Sequence, residues 1–242
     1  VGTGRNHEVD IALDPLEGTT ITAKGMPNSL SVIAAAQRGG LLYAPDTYMN
    51  KIAVGGNLPD DIIDLDATTK ENIQSIADAK KVPINEVTAC VLERSRHDSI
   101  IEDLRSIGAK IVLIPDGDVA GIIMTTQEHS SVDIYMGVGG APEGVLAAAA
   151  LQCIGGQMQT RLVINNEDEK IRAEKIGIKD LNKKYSLDEL AHGDIIFSAT
   201  GVTEGTMVRG VRTNQNKYVT HSLVLRTGES SSQYIETYHD IS

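Results

Sequence analysis

The sequence predicts an α/β protein with a mainly parallel sheet in its carboxyl-terminal part. The chain has 242 residues, 41% of them hydrophobic, which suffices for a sizeable core in one large or two small domains. Its first third is rich in strand patterns, and beyond residue 85 strand and helix patterns alternate regularly. Such alternation is typical of right-handed crossovers between parallel strands, with helices on both faces of the sheet.

The first third is predicted to be mostly strands, because apolar runs lie between glycine, proline and asparagine turn signals. These strands cover residues 9–13, 29–36, 41–44 and 51–54. A helix is predicted over residues 68–81, since Thr68 can cap it, apolar residues follow at helical spacing, and lysines end it. We place a domain boundary near residue 85, which separates an α+β domain (1–85) from an α/β domain (86–242).

Beyond that boundary the strand and helix patterns alternate in order along the chain. Strands are predicted at residues 87–93, 111–115 and 132–138. The helix that follows each of them is predicted at residues 97–108, 117–127 and 141–156, respectively. The last part contains three further strand patterns, at residues 194–200, 218–228 and 231–239.

Composition limits the classes of function. The chain has 33 acidic and 22 basic residues and a formal charge of -11, which argues against nucleic-acid binding but is compatible with carboxylates around metal ions. It has no apolar stretch of the roughly 18 residues that would span a membrane, so we expect a soluble protein. Cys90 and Cys153 lie in apolar segments and are interpreted as buried thiols, which favours the cytoplasm over an oxidising compartment.

Charged clusters follow three of the predicted strands. Asp116-Gly117-Asp118, Glu143 in GGAPEG, and Arg94 and Arg96 in RSRH all occupy strand ends, where α/β sheets bind ligands. Each cluster alone also has an ordinary structural interpretation, as a turn, a first helical turn or a solvated helix start. His97 is interpreted as a cap or spacer rather than a catalytic base, and Tyr48 alone would be an ordinary loop or strand tyrosine.

The segment DPLEGT, residues 14–19, is more specific. Asp14 and Glu17 can converge on hard divalent cations, and the backbone amides of Gly18 and Thr19 can meet a phosphate at a helix start. This combination favours metal-assisted phosphate hydrolysis, in which cations hold phosphoryl oxygens and activate a water molecule.

Six motifs carry a resemblance that runs along nearly the whole chain. They are DPLEGTT, LLYAPDTYMNKIAVG, RSRHDSII, IPDGDVA, GVGGAPEGVLAAA and IIFSATGVTEGTMVRGV. Because these motifs occur in this order, the chain resembles the class II fructose-1,6-bisphosphatases, the bacterial GlpX-type enzymes of the lithium-sensitive sugar-phosphatase superfamily. The glutamate of DPLEGT is specific, because inositol monophosphatases and class I bisphosphatases carry aspartate there. GGAPEGV is a second signature.

The resemblance implies a layered α-β-α-β-α sandwich and hydrolysis of the 1-phosphate of fructose 1,6-bisphosphate in gluconeogenesis, with Mg²⁺ or Mn²⁺ as cofactor. Since the family tends to form dimers and tetramers, we expect a cytoplasmic homodimer or homotetramer. The composition already argues against nucleic acid and a membrane as partners. A dual enzyme that also accepts sedoheptulose 1,7-bisphosphate is an alternative. A sugar-phosphate-binding fragment without turnover is another.

The resemblance also assigns roles to individual residues. Asp14, Glu17 and Glu143 match metal ligands, and the catalytic set is Asp14, Glu17 and Thr19, of which Thr19 helps to orient the attacking water. Substrate contacts are expected from the phosphate-gripping and sugar-binding residues Gly18, Thr19, Tyr48, Arg94, Arg96, Asp116, Asp118 and Gly140.

The chain departs from the family pattern before DPLEGT. Family members carry a long upstream segment there, with a lysine and further acidic residues that complete the metal site. Residues 1–85 are therefore interpreted as the remainder of the amino-terminal phosphatase domain. We expect the 242-residue chain to bind fructose 6-phosphate but to hydrolyse the bisphosphate more slowly than a chain that has this segment. An insertion in the region 165–175 is also expected to be missing.

Overall fold

The computed structural model describes residue 4 and residues 8–229 and 231–241. Its strands are β1 (Val9–Glu17), β2 (Leu30–Gln37), β3 (Tyr48–Gly55), β4 (Thr88–Leu92), β5 (Lys110–Ile114), β6 (Ile134–Gly140), β7 (Gly156–Val163), β8 (Lys184–Ser186), β9 (Ile195–Gly201), β10 (Arg212–Asn214), β11 (Lys217–Arg226) and β12 (Gln233–Asp240). Its α-helices are α1 (Thr19–Ala23), α2 (Thr69–Lys80), α3 (Asp98–Ser106), α4 (Asp118–Ile123), α5 (Ala141–Ile154), α6 (Glu167–Lys175) and α7 (Leu187–Leu190). Short 3₁₀ segments lie at Ile84–Glu86, Ser95–His97 and Met124–Thr126.

The strands form two sheets. The first has the order β1-β2-β9-β11-β10, with β12 also paired to β11, and all of its pairs are antiparallel. The second has the order β5-β4-β6-β3-β7-β8, in which β4 pairs in parallel with β5 and β6 and the other pairs are antiparallel. The fold is therefore α/β, as predicted.

The prediction of a mainly parallel sheet in the carboxyl-terminal part is wrong. Strands β6 and β7, which flank helix α5, do run in the same direction, but β3 from the first third of the chain lies between them and is antiparallel to both. The periodicity of a segment predicts that it is a strand but not which distant strand it joins. The parallel pairing is therefore limited to β4, β5 and β6.

Helix α5 lies between the two sheets. It contacts β1, β2, β9 and β11 of the first sheet and β3, β6 and β7 of the second. Its four consecutive alanines, 147–150, are fully buried, and such small side chains allow close approach on all sides of the helix. The other face of the second sheet packs against α2 and α3, where Ile73, Ile76 and Leu104 join a second apolar cluster.

The outward side chains of the first sheet form an exposed apolar face. Val9, Ile11 and Leu13 of β1 are 56%, 50% and 56% exposed, and Ile33 and Ile196 on the neighbouring strands are 44% and 49% exposed. In β1 these residues alternate with less exposed ones, as expected for a strand with one face against the core.

Most predicted elements are present. Helix α2 starts at a capping box in which the Thr68 hydroxyl oxygen accepts the Glu71 N–H and the Glu71 carboxylate accepts the Thr68 N–H. The predicted strand at 41–44 is wrong, because Leu41 forms only an isolated bridge with Ala191. The predicted helix at 117–127 divides into α4 and a 3₁₀ turn. Helix α1 begins at Thr19, where a helix start is expected from the sequence. Strands β7, β8 and β10 and helices α6 and α7 were not predicted from the sequence.

The sheets do not follow the predicted boundary near residue 85. Strand β3 pairs with β6 and β7, and β2 pairs with β9, so each sheet contains strands from both sides of the boundary. The division into two domains stays a prediction. Cys90 and Cys153 are free thiols, and burial raises the pKa of Cys90 to about 12. Within the described residues no helix is long and apolar enough to cross a membrane.

Candidate active site

The site begins at an irregularity in β1. Asp14 is opposite Val32 and Glu17 is opposite Leu30, so β1 contains one residue more than β2 over this stretch. Pro15 lies in the bulge and costs the sheet no hydrogen bond there, because β1 is an edge strand and proline has no N–H. The extra residue reverses the alternation of side chains, so Glu17 points into the protein, where it is 3% exposed.

Glu17 connects the first sheet to helix α4. Its Oε1 accepts the Val119 N–H at 2.6 Å, close to the start of the helix, and its backbone carbonyl accepts the Ser29 hydroxyl at 2.7 Å. Its other carboxylate oxygen, Oε2, is buried and has no hydrogen-bond partner in the described part of the chain. A buried carboxylate oxygen without a donor is costly, which points to a ligand at this position.

The loop of Asp116 and Asp118 lies beside the DPLEGT turn. Asp116 Oδ2 accepts the Thr20 N–H at 3.1 Å, and its Oδ1 lies 3.6 Å from the Arg94 guanidinium. Asp118 is buried and forms an ion pair with the ammonium of Lys51 on β3. Each aspartate of this loop therefore has a cationic partner.

Two basic residues and a histidine follow β4. The Arg96 Nε donates to the Val138 carbonyl at 2.9 Å, and its guanidinium lies 5.1 Å from the centre of the Tyr48 ring. The fully buried His97 ring bridges β4 and β6, with Nδ1 donating to the Leu92 carbonyl at 2.8 Å and Nε2 accepting the Val138 N–H at 2.7 Å. His97 is thus a spacer that fixes the arginine loop, and it makes no side-chain cap at α3.

Two glycines at the end of β6 make room for carboxylates. A Cβ on Gly139 would lie 2.0 Å from Asp118 Oδ2, and a Cβ on Gly140 would lie 1.9 Å from Glu143 Oε2. Any side chain at either position would displace the neighbouring carboxylate. Glu143, in the first turn of α5, therefore has its place set by Gly140.

These elements enclose a cavity of about 520 Å³. It is lined by all the site residues predicted from the sequence, namely Asp14, Glu17, Gly18, Thr19, Tyr48, Arg94, Arg96, Asp116, Asp118, Gly140 and Glu143. A larger cavity of about 790 Å³, lined in part by Cys153, Leu225 and Tyr234, contains none of them. The structure therefore brings the predicted residues together in one place.

Several carboxylates lie close together in the cavity. Burial raises the pKa of the Glu17 carboxyl well above its usual value, and the charges of Asp118 and Asp14 raise it further, while the Val119 N–H and Lys51 oppose the shift. Burial also raises the pKa of Glu143, with smaller contributions from Asp118 and Asp14. Carboxylates that repel one another in a partly dry site favour the binding of a cation.

The donor chemistry of the cavity fits a hard divalent cation. Oxygen ligands from carboxylates are those that Mg²⁺ and Mn²⁺ prefer, and Glu17 Oε2 is available for such a contact. Within the described residues, no three acidic, histidine or cysteine side chains stand close enough to form a ready metal site. Water and substrate oxygens would therefore have to supply part of the coordination, as is common for Mg²⁺.

The family model described as bacterial fructose-1,6-bisphosphatase, glpX-encoded, matches residues 1–239 of the chain. The chain belongs to this family. It is 38% identical to the class 2 fructose-1,6-bisphosphatase of Haemophilus influenzae over 99% of this chain and 75% of the relative. The identity to fructose-1,6-bisphosphatase 1 class 2 of Escherichia coli K12 is also 38%, with the same coverage. The resemblance seen in the motifs is confirmed.

Two features of this site, Lys51 and Gly139, were not predicted from the sequence. Lys51 interrupts an apolar strand pattern in YMNKIAVG, which is a signal for a buried charge, but its partner Asp118 is 67 residues away. Gly139 has no local pattern that shows its closeness to Asp118, because the two residues belong to different elements of the fold. His97 is a spacer, one of its two predicted roles, but the sequence does not show its partners.

The His97 bridge predicts that stability depends on pH. Burial lowers the pKa of His97, and the charges of Arg96 and Arg94 lower it further, so folding favours the neutral ring. The neutral His97 ring contributes its full stabilisation above a pH of about 6.5, the pKa of histidine in the unfolded chain. As the pH falls below this value the stabilisation is lost, by at most about 1.4 kcal/mol per pH unit. The difference in unfolding free energy between wild type and His97→Gln should therefore shrink from pH 8 to pH 5 in urea titrations.

The exposed His129 provides the control, and His129→Gln should show no such trend. A difference between wild type and His97→Gln that stays constant over this pH range would contradict the neutral bridge.

Proposed function

We propose that this cavity is where the chain hydrolyses the 1-phosphate of fructose 1,6-bisphosphate, releasing fructose 6-phosphate and phosphate. The observation that carries the proposal is the composition of a single cavity wall, which combines buried carboxylates, two arginines and the DPLEGT turn. Carboxylates suit cations and sugar hydroxyls, and guanidinium groups suit phosphate. Membership of the fructose-1,6-bisphosphatase family supports the same reaction.

Asp14, Glu17 and Glu143 are the proposed ligands of Mg²⁺ or Mn²⁺. The unpaired buried oxygen of Glu17 and the raised pKa values of Glu17 and Glu143 support this assignment. When bound, such a cation would offset phosphoryl charge and make a water molecule more acidic.

The chain's own groups would position the reacting phosphate. Gly18 precedes helix α1 with a left-handed φ of 82°, a conformation that suits glycine, and the Thr20 N–H of the same turn donates to Asp116. The Thr19 hydroxyl would orient the attacking water, and Asp14 and Glu17 complete the catalytic set. Holding water and phosphate in a fixed orientation lowers the barrier without a covalent intermediate.

The rest of the substrate would occupy the other residues of the wall. Arg94, Arg96 and Tyr48 are proposed to hold the phosphate that is not cleaved, and Arg96 is already ordered by its bond to Val138 and by the Tyr48 ring. Asp116 and Asp118 would accept hydrogen bonds from sugar hydroxyls. Gly140 would allow close approach of the ligand.

The α-β-α-β-α layering is also a proposal. Helix α5 lies between the sheets and α2 and α3 cover the far face of the second sheet, while the outer face of the first sheet exposes apolar side chains such as Ile11. A homodimer or homotetramer in the cytoplasm is proposed as well. The free thiols Cys90 and Cys153 are consistent with a reducing compartment.

Replacement of Glu143 by glutamine tests the metal assignment. The glutamine side chain keeps the shape of glutamate but loses its charge, so kcat should fall by at least about tenfold at saturating Mg²⁺ or Mn²⁺ with the melting temperature unchanged. Phosphate release from fructose 1,6-bisphosphate is the measurement. Glu102→Gln, at an exposed position of α3, is the matched control and should keep wild-type activity. Near-normal turnover of Glu143→Gln would remove Glu143 from the site.

Replacement of Arg96 by alanine tests the phosphate grip. A charge-assisted hydrogen bond is worth roughly 1.5–3 kcal/mol, so kcat/KM should fall about 10- to 100-fold, mostly through KM. Steady-state kinetics on the bisphosphate measure both constants, with Arg105→Ala as the control at an exposed position. Equal KM values for wild type and Arg96→Ala would place this arginine outside the substrate site.

A further inference from the structure

Lys51 lies behind the wall of the proposed active site. It belongs to β3, where it pairs with Gly137 of β6 and Thr160 of β7, and its side chain is 0% exposed. Its ammonium forms an ion pair with Asp118, whose side chain is 7% exposed. A buried ammonium is costly unless it is paired, and replacing such pairs by apolar residues is often neutral or stabilising. The Lys51–Asp118 pair is therefore more readily explained by a role in the site than by a contribution to the stability of the fold.

Two glycines shape the space that holds the pair. A Cβ on Gly139 would lie 3.1 Å from the Lys51 Nζ and 2.0 Å from Asp118 Oδ2. A Cβ on Gly144 would lie 3.2 Å from the Lys51 Cε. Glycine at both positions thus leaves room for the end of the Lys51 side chain beside the Asp118 carboxylate.

Asp118 faces the cavity, whereas Lys51 does not line it. The lysine binds Asp118 Oδ2, which leaves Oδ1 as the oxygen that is free of this ion pair. By contrast, the partner of Asp116 is Arg94, whose side chain is 34% exposed and lines the cavity itself. The two aspartates therefore differ, because Asp118 is held from inside the protein by a group that no ligand can displace.

We propose that Lys51 is a positioning residue that fixes the Asp118 carboxylate as the acceptor for a hydroxyl group of the sugar phosphate. This inference rests on the proposed function, in which Asp118 contacts the sugar. Lys51 acts through Asp118 and makes no contact with substrate. A carboxylate held in one orientation loses less entropy on binding than a free one, so the contact contributes more to affinity.

The test compares fructose 6-phosphate with inorganic phosphate, because both would contact the arginines but only the first would contact Asp118. Lys51→Met removes the charge at nearly constant length, so the affinity for fructose 6-phosphate in calorimetry should fall about 10- to 100-fold. The affinity for inorganic phosphate, which the arginines would hold, should change by less than about twofold. A general loss of structure would lower both affinities. Lys80→Met removes a lysine–aspartate pair with Asp133 at the end of α2 and should change neither.

A double-mutant cycle tests whether Lys51 acts through Asp118. In an Asp118→Asn background, Lys51→Met should weaken fructose 6-phosphate binding by less than about twofold, because the acceptor that it positions is already altered. Additive losses in the double variant would contradict the proposal. The double variant also carries no unpaired buried charge, so it is expected to be more stable than Lys51→Met alone.

Lys51→Arg gives a second test that does not create an unpaired carboxylate. The planar guanidinium is larger than the ammonium that lies beside Gly139 and Gly144, so we expect it to hold Asp118 in a different position. Fructose 6-phosphate should then bind more weakly while phosphate binding is retained. Wild-type affinity for fructose 6-phosphate in either Lys51→Met or Lys51→Arg would overturn the positioning role. No fructose 6-phosphate binding by the wild-type chain would instead overturn the proposed function itself.

Discussion

The buried carboxylate of Glu17 is the contact on which the rest of the site depends. One oxygen accepts the Val119 N–H and so joins the end of β1 to the start of α4, while the other is buried without a partner among the described residues. The bulge at Pro15 turns this side chain inward, and without the extra residue Glu17 would lie on the outer face of the first sheet. A single β-bulge in an edge strand thus directs the Glu17 carboxylate into the cavity of the candidate site.

Burying that charge among other carboxylates requires compensation. Asp14, Asp118 and Glu143 all lie on the same wall. Burial raises the pKa values of Glu17 and Glu143, and repulsion from Asp118 and Asp14 raises them further. The chain supplies fixed positive charge from two directions, with Lys51 inside the protein and the arginines after β4 at the cavity. A divalent cation would supply the remainder, so the same electrostatic imbalance explains both the buried lysine and the expected need for metal.

The sequence predicted the location of the site better than the arrangement of the sheets. Charged motifs at strand ends led to Asp116, Asp118, Glu143 and the arginines, because strand ends are visible in local hydrophobic patterns. The antiparallel pairing of β3 with β6 and β7 could not be predicted, since pairing between segments that are distant in the chain produces no periodic pattern in the local sequence. The role of Lys51 and the partners of His97 were not predicted for the same reason. Recognition of the family motifs assigned residues such as Tyr48 and Gly140, which physical reasoning alone would have left as ordinary.

Calorimetric titration of the metal-free chain with Mn²⁺, on wild type and on Glu17→Gln, decides whether the buried Glu17 carboxylate binds metal. The glutamine oxygen can still accept the Val119 N–H, so the fold should persist, as an unchanged melting temperature would verify. The role of Glu17 as a metal ligand predicts saturable binding to wild type and at least about tenfold weaker binding to Glu17→Gln, with Glu86→Gln at an exposed position as the control. Equal Mn²⁺ affinity for wild type and Glu17→Gln would contradict it.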